Sequence, residues 1–111
     1  MSEEGGLTSE ELKAAVGIVD RVALYTKYFP ERRFITWVDA KCREENVFTY
    51  AEFDASARRL AAYLFGKGLK RGDHVVLAYT PGVDFYLAFW ACTICGLIPV
   101  PVIPPFSDAE A

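Results

Sequence analysis

The stretch from Asp73 to Phe106 most narrowly limits what this chain can become. His74 to Tyr79 is a short apolar run rich in β-branched residues, the composition of a parallel strand covered on both faces. Pro81-Gly82 then interrupts the extended chain, since this pair favours a turn. From Val83 to Cys95 apolar residues occupy every face of a would-be helix, and Asp84 is its only charge. Such a helix has to be covered on more than one side. Gly96 suits the left-handed position that ends a helix, and Leu97 to Ile103 returns as a strand. The pattern predicts a βαβ unit that the rest of the chain wraps.

Pro99 and Pro101 stand two apart in the second strand, so both missing N–H groups face one edge. That strand is expected at a sheet margin, or turning away where another segment packs. The stretch is also uncharged from Phe85 to Phe106, long enough to cross a bilayer. Gly96, Pro99, Pro101, Pro104 and Pro105 would break a lipid-exposed helix halfway across. No Lys or Arg flanks either end as an anchor. The buried βαβ unit is therefore preferred to a membrane span.

At 111 residues the chain has room for one domain, able to bury about two-thirds of its unfolded surface. With 52% hydrophobic and 24% charged residues and a formal charge of −3, it lacks the basic stripe that nucleic acid demands. The opening MSEEGGLTSEEL is acidic and polar, neither a secretory signal nor an Arg-rich transit peptide, so a cytoplasmic location is expected. Three cysteines make no disulfide framework. Cys92 and Cys95 form a CxxC, but at the end of the helix, where the dipole disfavours thiolates. A zinc site would need two further ligands, and only Cys42 and His74 remain. The pair is read as small apolar residues packing a helix face.

Before this core, Thr8 and Glu11 form a capping-box pattern. Leu12, Ala15, Val16, Val19, Val22 and Ala23 follow at helical spacing, opposite Lys13, Asp20 and Lys27. One amphipathic helix is expected, ending at Tyr28-Phe29-Pro30. Phe34 to Val38 is a strand by composition. With Val47-Phe48 it should form a β-hairpin whose connection, Asp39 to Asn46, is loose and solvated. Thr49 and Glu52 repeat the capping box. The next helix runs from Tyr50 to about Gly66, burying Tyr50, Phe53, Ala57, Leu60, Ala61 and Leu64. Lys70-Arg71-Gly72-Asp73 turns into the central strand.

A search for catalytic constellations finds none. His74, the only histidine, has no acid or nucleophile spaced to partner it and reads as a strand-edge residue. Ser9, Ser56 and Ser107 lack an elbow-like glycine context. There is no GxGxxG after a strand and no GxxxxGK[ST]. Leu77 to Gly82 has one glycine and no lysine, so it reads as a plain strand-to-helix turn rather than a phosphate loop. No catalytic, cofactor-binding or metal-binding residue is assigned.

Several segments nevertheless form a recognisable order. Phe48-Thr49-Tyr50-Ala51-Glu52-Phe53 resembles the "TYxEL" opening of adenylate-forming (AMP-binding) enzymes: acyl- and aryl-CoA synthetases, fatty acyl-AMP ligases and nonribosomal adenylation domains. Ala57 to Leu64, then Gly68 to Val75, are similar to their "A..LA..L...G...GD.V" pattern. Pro81 to Cys92 and Gly96 to Pro101 resemble the helix and strand that follow. Pro101-Val102-Ile103-Pro104-Pro105 looks most like fatty acyl-AMP ligases. The match runs unbroken from Phe34 to Pro105.

The resemblance implies an α/β fold: a partial parallel sheet with flanking helices and a small β-hairpin, a fragment of the larger N-terminal domain of these enzymes. Residues 1–30 would be an N-terminal amphipathic helix, 31–106 the partial AMP-binding subdomain and 107–111 a truncated tail. Such enzymes use ATP and magnesium to convert a carboxylic acid into an acyl-adenylate, and pass the acyl group to coenzyme A or a carrier protein. Their phosphate loop, adenine and ribose motifs and C-terminal lysine have no counterpart here, so the fragment itself is expected to bind no cofactor. Its partner would be the remainder of the synthetase. Tyr50, Gly72, Asp73, Pro81, Gly96 and Pro101 are expected to matter structurally. Two functions stay open: an inactive scaffold fragment of an acyl-adenylating ligase, or a non-catalytic binding or regulatory module that retained the scaffold.

Overall fold

The computed structural model describes residues 6–104. The tail expected at 107–111, with Ser107, lies outside them. The chain forms two compact units that divide between Ala55 and Ser56.

In the first unit the capping box is present. The Glu11 N–H donates to Thr8 Oγ1 (3.1 Å) and the Thr8 N–H to Glu11 Oε1 (3.3 Å). It opens α1, Ser9–Ala14, which is followed by a separate helix α2, Ile18–Tyr28. The single helix expected from the apolar stripe is therefore broken. Ala15 leaves helical geometry at ψ 90°, and Gly17, extended at φ −93°, is the N-cap of α2. A glycine favours a break because it loses most conformational freedom inside a helix. Val16, assigned to the stripe, is 87% exposed at the break. The Tyr28 hydroxyl donates to Glu11 Oε2 (2.7 Å), bridging α1 and α2.

The hairpin pairs β1, Arg33–Val38, with β2, Glu44–Thr49, in antiparallel register, with irregularities between Arg33 and Ile35 and between Trp37 and Val38. Its connection is tight rather than loose. The Asp39 N–H donates to the Arg43 C=O (2.9 Å), and Asp39 Oδ1 accepts from the N–H groups of Lys41 (2.8 Å) and Arg43 (3.0 Å). An aspartate that closes its own turn this way organises residues a polarity count assigns to solvent. The second capping box is also present, between Thr49 and Glu52. It opens α3, Tyr50–Gly66. The next helical donors are satisfied too, Tyr50 N–H by Arg32 C=O and Ala51 N–H by Pro30 C=O, both at 3.0 Å. Phe34 stacks on Tyr50 (4.5 Å between centroids) and meets Phe53 edge-on (5.2 Å), so aromatic packing seats the hairpin on the first turn of α3.

The second unit contains the rest of α3 and the βαβ unit: β3, His74–Leu77; α4, Val83–Cys95; β4, Ile98–Pro101. Both strands are shorter than the apolar runs suggest, and they pair in parallel, His74 with Ile98 through Leu77 with Pro101. The Ile98 N–H donates to Asp73 C=O (2.8 Å) and the Val102 N–H to Leu77 C=O (3.1 Å). Backbone groups alternate sides along a strand, so the nitrogens of Pro99 and Pro101 lie on the β4 edge away from β3. That edge has no donor to offer at either position. By the same alternation the backbone of Val76 faces the outer edge of β3, and its side chain is 64% exposed.

The cover of α4 departs from expectation. Ala88, Ala91 and Cys92 are buried, and Ala91 joins Ala57 and Ala61 in a cluster against which Leu60, Trp90 and Ile94 pack. Tyr86 and Phe89 remain 48% and 37% exposed. Two strands and one helical face are too little surface to clothe a helix that is apolar all round.

Two outcomes are expected. Gly96 sits at φ +84°, and a Cβ there would lie 2.9 Å from Cζ of Arg71. Gly96→Ala should therefore lower stability by about 1–2 kcal/mol from left-handed backbone strain alone, with a further loss that Arg71→Ala restores. A urea melt unchanged by Gly96→Ala would contradict this cap. The open edge of β3 should also make the chain self-associate in size-exclusion chromatography with light scattering, and Val76→Lys should shift it toward monomer. A monomer at high concentration without the substitution would show that the edge drives no association.

Candidate functional site

The six positions singled out as structural fall at junctions between elements. Tyr50 starts α3, and Pro81 lies in the bend before α4. The Gly72 N–H donates to Gly96 C=O (2.8 Å), so the turn into β3 is tied to the end of α4. Asp73 closes that turn: its N–H donates to Lys70 C=O (3.0 Å) and its Oδ2 accepts the Lys70 N–H (2.8 Å). Pro101 ends β4 opposite Leu77.

The side chains capable of chemistry are dispersed. His74 is exposed at the start of β3, and its imidazole has no hydrogen-bond partner among the described residues. Cys92 is buried, and burial, with the neighbouring Cys95 thiol as a smaller cause, pushes its pKa up. The Cys95 Sγ lies 3.6 Å from the Cys92 carbonyl oxygen. A thiol held protonated inside a helix is a poor nucleophile and a poor metal ligand. Ser56 Oγ accepts from Arg59 Nη2 (3.1 Å). No three His, Cys, Asp or Glu side chains among the described residues are grouped to hold a metal ion.

The turn ahead of α4 does not fit a nucleotide phosphate. Gly82 is its N-cap with extended backbone, the helix has no side-chain cap, and Asp84 sits in the first turn. A phosphate needs several converging N–H groups and no anion beside them. This turn therefore offers no cradle for a nucleotide phosphate.

With chemistry dispersed and scaffold positions intact, family membership has to come from the whole pattern. The family model described as "AMP-binding enzyme" matches residues 20–111. This chain belongs to the AMP-binding enzyme family. Its fold is that of the N-terminal part of adenylate-forming enzymes. It is 35% identical to the fatty acid AMP ligase of Legionella pneumophila, with a TM-score of 0.78 over 92% of this chain and 17% of that one. A second structure, a fatty acyl-adenylate ligase from L. pneumophila in complex with acyl adenylate and pyrophosphate, is also 35% identical. It has a TM-score of 0.76 over 89% of this chain and 17% of its own. Among relatives by sequence, Disco-interacting protein 2 homolog A of Homo sapiens and of Mus musculus is 42% identical over 77 residues, 68% of this chain. The chain spans 5% of the length of those relatives.

Two arrangements in this chain are not legible in its sequence. Arg71 packs its guanidinium over Gly96, and Arg21, Val22, Tyr25 and Tyr50 line a recess. The first is hinted at by a cation in the turn before β3, while the second joins residues too far apart to show a pattern. No helix among the described residues is long and apolar enough to cross a membrane.

The hairpin carries a pH dependence. The Asp39 carboxyl lies below its ordinary pKa, chiefly through the Arg43 backbone N–H, and the Arg33 guanidinium beside Glu44 (2.7 Å) lowers that one too. A depressed folded pKa means the stabilisation is complete above the ordinary carboxylate value and is lost as pH falls through the lower one. The β1 and β2 amide resonances should hold steady from neutral pH to about pH 5 and move toward disordered positions below about pH 4. Asp39→Asn should blunt that change. An Asp39→Asn chain with the same pH response as the parent would show that the turn does not depend on the carboxylate.

Proposed function

We propose that this chain is the N-terminal scaffold portion of an ATP-dependent, acyl-adenylating ligase that activates a carboxylic acid, and that by itself it is inert. The supporting observation is 35% identity, over 89% of the chain, to a ligase whose structure holds acyl adenylate and pyrophosphate. The scaffold's contribution is mechanical, supplying the βαβ unit against which the nucleotide- and acid-binding parts are built. ATP, magnesium and the acid are held by the remainder of the ligase. The acceptor is coenzyme A or a carrier protein. A cytoplasmic setting agrees with three cysteines that are all free thiols.

The 42% identity to proteins named as Disco-interacting favours a second reading, a module that kept the scaffold for binding rather than catalysis. The two separate in one assay. The 111-residue chain should give no ATP–pyrophosphate exchange with any acid from acetate to long-chain fatty acids, since it offers no preorganised donors or metal for the developing phosphate charge. A polypeptide continuing through the downstream phosphate loop should give acid-dependent exchange. Silence from the longer polypeptide would favour the binding module. Exchange by the short chain, abolished by His74→Ala or Asp84→Ala, would place the site among residues assigned here to the scaffold.

A further inference from the structure

In the first unit, Arg21, Val22 and Tyr25 of α2 and Tyr50 of α3 line a recess of about 160 Å³. The walls are braced. Tyr25 meets Phe29 edge-on (5.6 Å) and lies against Tyr50 (5.9 Å), which is itself stacked on Phe34 (4.5 Å). The side chains of Arg21, Tyr25 and Tyr50 have no hydrogen-bond or ion-pair partner among the described residues. Asp20, the acid next to Arg21, lines a separate groove with Glu11, Ala14, Ala15, Ala23 and Leu24. An arginine with no carboxylate partner among the described residues therefore lines a recess together with two tyrosines and a valine.

We propose that this recess binds a small aromatic carboxylate as a non-reacting ligand. The volume is close to that of the engineered cavity of about 150 Å³ that takes up benzene, which suits a single ring. Aromatic walls favour an aromatic body through offset and edge-on contacts. Arginine recognises a carboxylate with two parallel N–H donors, a geometry that an ammonium or a neutral amide does not reproduce. The site contains no nucleophile or base, so binding rather than turnover is its function. Every residue in it lies between positions 21 and 50, which makes it independent of the adenylation reading.

Saturation-transfer NMR on the 111-residue chain tests the proposal with three probes: benzoate, benzamide and acetate. Benzoate should give a saturable signal. Benzamide, which keeps the ring without the charge, and acetate, which keeps the charge without the ring, should each bind at least tenfold more weakly. Arg21→Gln should weaken benzoate at least tenfold. Tyr25→Ala, which opens the wall but keeps the guanidinium, should abolish the preference for benzoate over acetate. Both variants should retain the circular dichroism of the parent, and Arg21 is exposed, so its exchange tests charge rather than folding. No saturable benzoate signal, an equal response to benzamide, or undiminished binding in Arg21→Gln would each overturn the assignment.

Discussion

The βαβ unit depends on one backbone junction, where Gly96 ends α4 in the left-handed region under the guanidinium of Arg71. Its carbonyl accepts the Gly72 N–H. The residue that stops the helix is thus also hydrogen-bonded to the turn that starts β3. Next to it, Asp73 C=O takes the first N–H of β4. Two glycines with positive φ, at 72 and 96, let chain segments more than twenty residues apart approach closely enough for these bonds. A side chain at either position would strain the left-handed backbone, and at 96 it would also meet the Arg71 guanidinium. The parallel pairing of β3 and β4, and the packing of α4 over them, follow from this closure.

What the unit then buries is small. Ala57, Ala61, Ala88, Ala91, Cys92, Leu77 and Leu97 form the closed interior, while the large rings of Tyr86 and Phe89 stay partly open. Burying a side chain of that size is worth roughly 1.5–3 kcal/mol, and here much of that gain is unrealised. The apolar residues of α4 lie on every face, and the elements packed against it leave part of that surface open.

Local rules made much of the fold legible. Both capping boxes, the bounds of α3 and α4, the left-handed Gly96 and the proline-bearing margin could be read because each depends on residues a few positions apart. The break at Gly17 was hidden because an apolar stripe at helical spacing runs through it. The hairpin turn was hidden because Asp39, Lys41 and Arg43 look like solvated charges, although the first of them accepts the N–H groups of the other two. The short ends of β3 and β4 follow from pairing, which an apolar run does not encode. The recess of Arg21, Tyr25 and Tyr50 could not be read at all, since α2 and α3 meet there through tertiary packing of aromatic rings.

The proline-closed edge of β4 gives the parallel pair a direction of growth. The β4 edge has no donor at Pro99 or Pro101, whereas the outer edge of β3 keeps its full set of backbone groups. A parallel arrival there requires a crossover rather than a tight turn. Pairing between segments so distant in sequence is slow, because loop closure has to precede any gain from the new contacts. On that open edge Val76 stands exposed.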